Sequence, residues 1–251
     1  MRWRSSQSRR PQPPPRCRTR ACTARVLRSR VTLSPPVELR TARLVLRPWK
    51  PSDVEPFARL NADDEVMEYL PGPLERKDSD ASADRISAII ESEGWGWWAV
   101  ELVSTGTFIG FTGLSRTAFD APFTPAVEVG WRLARPAWGH GYATEGARAA
   151  VRFGFDVLDL PEIVSFTVAG NRRSRAVMER LGMTHDPRED FDHPRLPPGH
   201  VLRRHVLYRL AREAPTISVR RGQEAGDRRH GQRSGRDVRR VAGRTRALGG
   251  D

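Results

Sequence analysis

The central part of the chain, residues 37–214, contains no cysteine. The two cysteines of the sequence, Cys17 and Cys22, both lie near the N-terminus. A disulfide framework and thiolate chemistry are therefore excluded for the central region.

Long apolar runs are also missing from the sequence. No stretch reaches the roughly 18 apolar residues that a membrane-spanning helix needs. The N-terminal segment has no apolar core of the kind found in a secretory signal. We therefore expect a cytoplasmic protein that makes no contact with a membrane.

Acidic residues are absent from one end of the chain and rare at the other. Residues 1–36 contain ten arginines and no acid, and residues 215–251 contain ten arginines and four acids. Of the 43 basic and 30 acidic residues in the chain, 23 and 26 remain for residues 37–214, which are nearly neutral. Neither end shows apolar periodicity, so we predict that both are disordered. They could bind nucleic acid, although a solvated tail or an extended reading frame is the simpler interpretation.

The hydrophobic pattern of residues 37–214 predicts an α+β domain. A strand over 38–47 is followed by helical segments, of which the third covers about 78–93. The period then changes to two, which predicts strands over 95–102, 107–115 and 125–134, with a hairpin turn at 104–106 and a bulge at Gly130. A helix to about 156, a strand over 162–168, a helix over 171–181 and a strand over 201–210 complete the order. This order is typical of a single twisted mixed sheet flanked by helices.

The stretch RPAWGHGYATEG, residues 135–146, joins an extended segment to an alanine-rich helix. Glycines before a helix expose backbone N–H groups, and the helix dipole adds to their attraction for an anion. The dinucleotide fingerprint is excluded because Thr144 occupies the place of its third glycine, and no Gly-Lys-Ser/Thr of a P-loop follows. A turn for the pyrophosphate of coenzyme A is the third phosphate-binding pattern to compare.

This turn resembles the acyl-CoA turn of the GNAT acetyltransferase superfamily, usually Gln/Arg-x-x-Gly-x-Gly/Ala. Gly141 and Ala143 match its last two positions, whereas Trp138 replaces the usual Gln or Arg. The segments EVGWRL (128–133) and AGNRRSRAVMERLGM (169–183) are similar to the central strand and last helix of that family. LRTARLVLR (39–47) is similar to the start of its RimJ/RimL-like branch, the ribosomal-protein N-terminal acetyltransferases. The resemblance covers 37–214 and implies a single GNAT-like domain.

The resemblance further implies that the domain binds acetyl-CoA. Contacts are expected from three segments: the backbone of the central strand, the turn, and the start of the last helix. The residues concerned are Trp131, Arg132, Leu133, Trp138, Gly139, His140, Gly141, Tyr142, Ala143, Asn171 and Ser174.

Two residues are candidates for catalysis. Glu128 could take the proton of an attacking amine, directly or through water, or could instead be an outward-facing carboxylate in a salt bridge. Many family members protonate the leaving thiolate with a tyrosine, but Met178 stands in its place. Ser174 is the expected substitute, or else a hydroxyl that only satisfies the first helical turn. Asn171 is expected both to cap this helix and to contact the coenzyme.

The expected acceptor is a primary amine that attacks acetyl-CoA directly in a ternary complex. It could be a protein N-terminus, as in the RimJ/RimL-like branch, or a small molecule such as a polyamine or antibiotic. A non-catalytic module that binds acyl-CoA or RNA is the alternative. The spacing of Asp190, Asp192 and His193 fits no zinc pattern, so no metal is predicted. The loop 186–198 could cover the acceptor site, and the protein could be a monomer or a homodimer.

Overall fold

The computed structural model describes residues 32–212. Nine strands are found in this range: β1 Leu39–Arg40, β2 Leu44–Arg47, β3 Trp97–Leu102, β4 Phe108–Arg116, β5 Val127–Leu133, β6 Glu162–Val168, β7 Thr184–His185, β8 Phe191–Asp192 and β9 Arg204–Ala211. Five α-helices accompany them: α1 Val54–Asn61, α2 Asp64–Met67, α3 Arg76–Glu93, α4 Tyr142–Asp156 and α5 Arg172–Arg180.

The described strands form one mixed sheet in the order β1-β2-β3-β4-β5-β6-β9-β7, with β8 also paired to β9. Every neighbouring pair is antiparallel except β5 and β6, which are parallel and are connected through α4. The α+β domain with a mixed sheet and flanking helices is therefore confirmed.

Side chains of β5 alternate between the two faces of the sheet. Trp131 pairs with Thr112 of β4, whose methyl group faces Gly146 of α4, so this is the α4 face. Arg132 pairs with Phe111, whose ring contacts Phe57 of α1, so this is the α1 face. The odd-numbered residues of β5 thus point to α4, and Glu128, Gly130 and Arg132 point to the α1 face.

The bulge predicted at Gly130 is wrong. The pairing of β4 and β5 runs without interruption from Arg116–Val127 to Gly110–Leu133, with Gly130 opposite Gly113. The described irregularity lies between β3 and β4, at Val100 and Glu101. A Cβ atom at Gly130 would lie 3.5 Å from the indole of Trp97, an ordinary contact distance, so neither a bulge nor a steric clash explains this glycine.

The predicted hairpin turn and helix ends agree well with the structure. Gly106 has a φ of 68° between β3 and β4, and Gly182 has a φ of 84° directly after the last residues of α5. The loop that precedes β9 contains two short strands, β7 and β8, which the sequence pattern did not indicate.

The folded domain begins before residue 37, which is the boundary that the sequence predicts. Leu33 is packed against the hydrophobic core, and its N–H donates to the carbonyl of Glu93. Of the ends that the sequence predicts to be disordered, 1–36 and 215–251, residues 1–31 and 215–251 lie outside the described residues. Within 32–212, no helix is long and apolar enough to cross a membrane.

Candidate active site

A cleft of about 1360 Å³ opens where β5 and β6 separate. The two strands are paired only at Glu128 and Val164, and beyond this point they diverge. All the residues that the sequence predicts as site residues border this cleft, from Glu128 on β5 to Ser174 on α5. The structure brings these residues together around one cleft. The role of each residue is still a prediction.

The backbone of β5 offers hydrogen-bond donors to the cleft. In an antiparallel pair, successive residues direct their backbone groups alternately towards and away from the partner strand. The N–H of Ala134 donates to Ile109 on the β4 side. Trp131 and Leu133 therefore direct their N–H groups to the other side, where β6 has moved away. These donors are available to a bound ligand.

The turn before α4 forms the second wall of the cleft. Gly139 and Gly141 both have a φ of 80°, a left-handed conformation that side chains other than glycine rarely adopt. Gly141 is the N-cap of α4, so the first N–H groups of this helix face the cleft. A Cβ atom on Gly139 would meet no atom within 4 Å, which shows open space at the turn. The turn is therefore shaped to receive an anionic group.

Arg43, which sequence reasoning missed, connects the turn to the edge of the sheet. Its Nη1 donates to the carbonyl of His140 at 3.0 Å, and its Nε donates to Glu145 at 2.7 Å. The hydroxyl of Thr41 donates to the same carboxylate at 2.6 Å. The guanidinium of Arg43 also lies over the ring of Tyr142 and borders the cleft. No local sequence signal could have found a contact that spans 102 residues.

Trp138 supports the turn from the side of β5. Its Nε1 donates to the carbonyl of Leu133 at 2.8 Å. The guanidinium groups of Arg135 and Arg173 lie 5.0 and 4.5 Å from its ring centre. Trp138 therefore has a structural role in the position where the family usually has Gln or Arg. His140 is exposed, as expected.

Glu128 points into the cleft from the α1 face of β5. Burial raises the pKa of its carboxyl to about 7, and the charge of Arg195 opposes this shift. The alternative role, a carboxylate in a surface salt bridge, finds no support because no described residue forms an ion pair with Glu128. Near neutral pH this group can exist in both protonation states, as proton transfer requires.

The start of α5 contributes the remaining predicted residues. Asn171 is the N-cap: its Oδ1 accepts from the N–H of Ser174 at 3.1 Å, and its Nδ2 donates to Thr167 at 3.0 Å. Ser174 is half-buried and borders the cleft. Met178 also borders the cleft and has no proton to donate.

Two further side chains of the cleft lie on the α1 face. The Nε1 of Trp97 is buried and has no hydrogen-bond partner among the described residues. The side chain of Arg132 extends into the cleft and donates from Nη1 to Asn61 at 2.6 Å.

The cover that loop 186–198 could form over the acceptor site remains a prediction: the loop contributes no residue to the described lining of the cleft, but the charge of its Arg195 acts on Glu128. Its aromatic residue Phe191 packs instead in a small cluster with Val164 and Leu207. Within residues 32–212, no group of His, Cys, Asp and Glu side chains is arranged to hold a metal ion.

Comparison with known proteins gives the family. The profile of the Acetyltransferase (GNAT) domain matches residues 43–184. An FsC-acetyl coenzyme A-N(2)-transacetylase from Aspergillus fumigatus is 32% identical over 192 residues, which cover 73% of this chain and 80% of that protein.

Solved structures agree with this match. An acetyltransferase from Agrobacterium tumefaciens is 31% identical, with a TM-score of 0.57 over 74% of this chain and 99% of that one. RimL, a ribosomal L7/L12 alpha-N-protein acetyltransferase solved with coenzyme A, is 16% identical, with a TM-score of 0.56 over 70% of this chain and 98% of that one. RimL therefore shows only a shared fold. The chain belongs to the GNAT acetyltransferase family and is an acyltransferase that depends on acetyl-CoA for N-acetylation.

Proposed function

We propose that the protein transfers an acetyl group from acetyl-CoA to a primary amine by direct attack in a ternary complex. One observation carries the proposal: a single cleft connects the anion-binding turn before α4 with the ionisable carboxyl of Glu128. The described part of this cleft contains no cysteine, so a cysteine acyl-enzyme has no nucleophile there.

The residues present fit acetyl-CoA, which supplies the acetyl thioester when bound. The turn at Gly139 and Gly141 would hold the pyrophosphate with backbone N–H groups, and Arg43, which is paired with Glu145, supports the turn through the carbonyl of His140. The N–H groups of Trp131 and Leu133 lie in the opening between β5 and β6. There they would stabilise negative charge that develops on the carbonyl oxygen. The positions of Trp138, Tyr142, Ala143 and Asn171 around the cleft support contacts to the same molecule.

Glu128 is the residue that we assign to the amine. In its charged form it attracts an ammonium group, and it can then accept the proton that the amine must lose before it attacks. Its pKa of about 7 makes this transfer effective near neutral pH. The hydroxyl of Ser174 is assigned to the sulfur end of the coenzyme, because Met178 cannot protonate a thiolate.

The acceptor remains open between two classes. The likeness to the RimJ/RimL-like branch favours a protein N-terminal amine. The Aspergillus relative is more similar in sequence, and its name gives an N(2)-transacetylase of FsC and no ribosomal protein, which keeps a small-molecule amine as the second candidate. Both acceptors present a primary amine to Glu128.

The pH dependence of the reaction tests the proposal. In the wild-type protein, kcat/KM for an amine is expected to rise through a pKa near 7. The substitution Glu128→Gln should remove this rise and lower kcat/KM about 100-fold or more above pH 7, because general base catalysis contributes roughly that amount. Ser174→Ala should lower kcat without changing the pH at which the rate rises.

A matched control is Glu91→Gln, which removes an exposed carboxylate from α3. It should leave the profile unchanged. If Glu128→Gln has the wild-type rate at every pH, the role given to Glu128 is wrong.

A further inference from the structure

Arg132 carries a positive charge that no described carboxylate neutralises. The guanidinium makes one hydrogen bond, to the amide oxygen of Asn61, and lies 5.4 Å from the ring centre of Phe111. Burial lowers its pKa to about 10, and no neighbouring acid opposes this shift. A guanidinium has five N–H donors, so four remain without a described partner.

Two other arginines of the described structure that are shielded from water are paired with carboxylates. Arg47 is bound by the carboxylates of Asp53 and Glu101, at 2.7 Å each. Arg209 is bound by two acids of its own, at 2.6 and 2.7 Å. A buried charge without a partner is costly, which is why such pairs form. The lack of an acid beside Arg132 is therefore specific to the cleft.

Neutral groups hold Arg132 in place. Asn61 is fully buried, and its amide donates to the hydroxyl of Ser79 at 2.9 Å while its oxygen accepts from Arg132. This chain of hydrogen bonds fixes the guanidinium without cancelling its charge. Such an arrangement suits a site in which the counter-charge arrives with a ligand.

The side chain of Arg132 lies on a different face of the sheet from the turn that would bind the pyrophosphate. The turn at Gly139 and Gly141 belongs to the α4 side of the sheet, whereas the side chain of Arg132 lies on the α1 face with Glu128. If Glu128 receives the amine, an anion bound beside it on the α1 face would belong to the acceptor.

We propose that the acceptor carries a carboxylate as well as its primary amine, and that Arg132 binds this carboxylate while Glu128 receives the amine. The inference rests on the proposed function of the same cleft. Guanidinium and carboxylate groups match in a planar pair of hydrogen bonds, so Arg132 acts as a specificity-determining residue.

The spacing of the two residues indicates the length of the acceptor. Arg132 lies four positions after Glu128 in an extended strand, which places their Cα atoms about 13 Å apart. An acceptor whose amine and acid are several bonds apart fits this spacing better than a free α-amino acid. A short peptide or an ω-amino acid has this property.

Pairs of amines that differ only in the carboxylate test the inference. The full-length protein is assayed with saturating acetyl-CoA and three such pairs: γ-aminobutyrate and propylamine, ε-aminohexanoate and pentylamine, and alanyl-alanine and alanine ethylamide. For at least one pair, kcat/KM for the acid should exceed that for the amine about tenfold or more, the effect of a charge-assisted hydrogen bond. Arg132→Gln should bring this ratio close to one, and Arg132→Lys should keep part of it.

The ratio of kcat/KM for the acid to kcat/KM for the matched amine distinguishes recognition of the carboxylate by Arg132 from a structural role of this residue. A variant that merely disturbs the fold lowers both rates and leaves the ratio as it was. Arg59→Gln, which changes an exposed arginine on α1, is the matched control and should keep the wild-type ratio. Stabilisation of each variant by acetyl-CoA in thermal unfolding shows that the coenzyme site is intact.

The outcomes separate the two proposals. If the wild type acetylates acids and matched amines equally, or if Arg132→Gln keeps a high ratio, the inference about Arg132 is overturned and the amine acetylation stands. If no amine is acetylated although acetyl-CoA stabilises the protein, the proposed function itself fails, and the inference fails with it.

Discussion

At the scale of single residues, Glu128 makes the folded protein bind a proton more tightly than the unfolded chain does. Burial raises its pKa from the ordinary value of 4.5 to about 7. Between these two values the folded protein keeps a proton that the unfolded chain has lost. The contribution of Glu128 to stability is therefore fully present below pH 4.5 and is lost as the pH rises through 7.

This linkage predicts the behaviour of Glu128→Gln. The amide is neutral at every pH, so the variant should gain stability relative to the wild type as the pH rises from about 4.5 to about 7. The expected gain is at most about 1.4 kcal/mol for each pH unit in this window. Urea unfolding of both proteins over this range measures it, and Glu91→Gln supplies the baseline. A difference in free energy of unfolding that does not change with pH would show that Glu128 is not buried as described.

Some side-chain contacts in the site could not be predicted from the sequence. The pattern predicted Glu128, Ser174 and the glycine turn because each lies in a recognisable local motif. Arg43 and Glu145 meet across 102 residues, and the Arg132–Asn61 contact spans 71. Such contacts depend on how the elements are packed, and single-sequence periodicity carries no information about that.

At the scale of elements, the turn before α4 depends on its backbone conformation. Gly141 has a φ of 80°, and an added Cβ would contact only the end of Arg43, at 3.6 Å. Gly141→Ala should therefore destabilise the fold mainly through backbone strain, by about 1–2 kcal/mol. It should also raise the Kd for acetyl-CoA, because the strain displaces the N–H groups that face the anion.

Gly106 provides the control for this prediction. It lies in the hairpin between β3 and β4 with a φ of 68°, and a Cβ there would meet no atom within 4 Å. Gly106→Ala should cost a similar free energy of unfolding and leave the Kd for acetyl-CoA unchanged. Thermal unfolding and calorimetric titration of the two variants give both quantities. Equal affinity for both variants would contradict the role of the turn.

The longer elements were predicted well because their periods are clear. The strand pattern of residues 95–134 and the helix that follows the turn were both evident in the hydrophobic spacing. β7 and β8 have two residues each and exist only through pairing with β9, so no periodic signal precedes them. The bulge at Gly130 was predicted from the residue type alone. Its partner strand β4 keeps the register, and a Cβ atom at this position would make only ordinary contact with the indole of Trp97.

At the scale of the whole molecule, the site depends on the point where β5 and β6 separate. Coenzyme groups are expected on the α4 side and the acceptor on the α1 side, and the gap in the sheet joins the two. Among the described residues, those that line the cleft extend from Arg43 to Arg180. The positive charge of the chain, in contrast, belongs to its two ends.

This separation predicts that the ends do not contribute to coenzyme binding. At about 100 times its Kd, acetyl-CoA should stabilise the full chain by about 2.7 kcal/mol, which raises Tm by roughly 5–11 °C for a domain of this size. A chain reduced to residues 32–212 retains the described hydrophobic core and every described residue of the cleft, so it should show the same shift. The comparison is made at low and at physiological salt, because a contribution from the arginine-rich ends would be strongest at low salt. A shift that appears in the full chain and is lost in the shorter one would mean that the basic ends bind the coenzyme phosphates. In that case the turn before α4 would not be sufficient to hold the coenzyme.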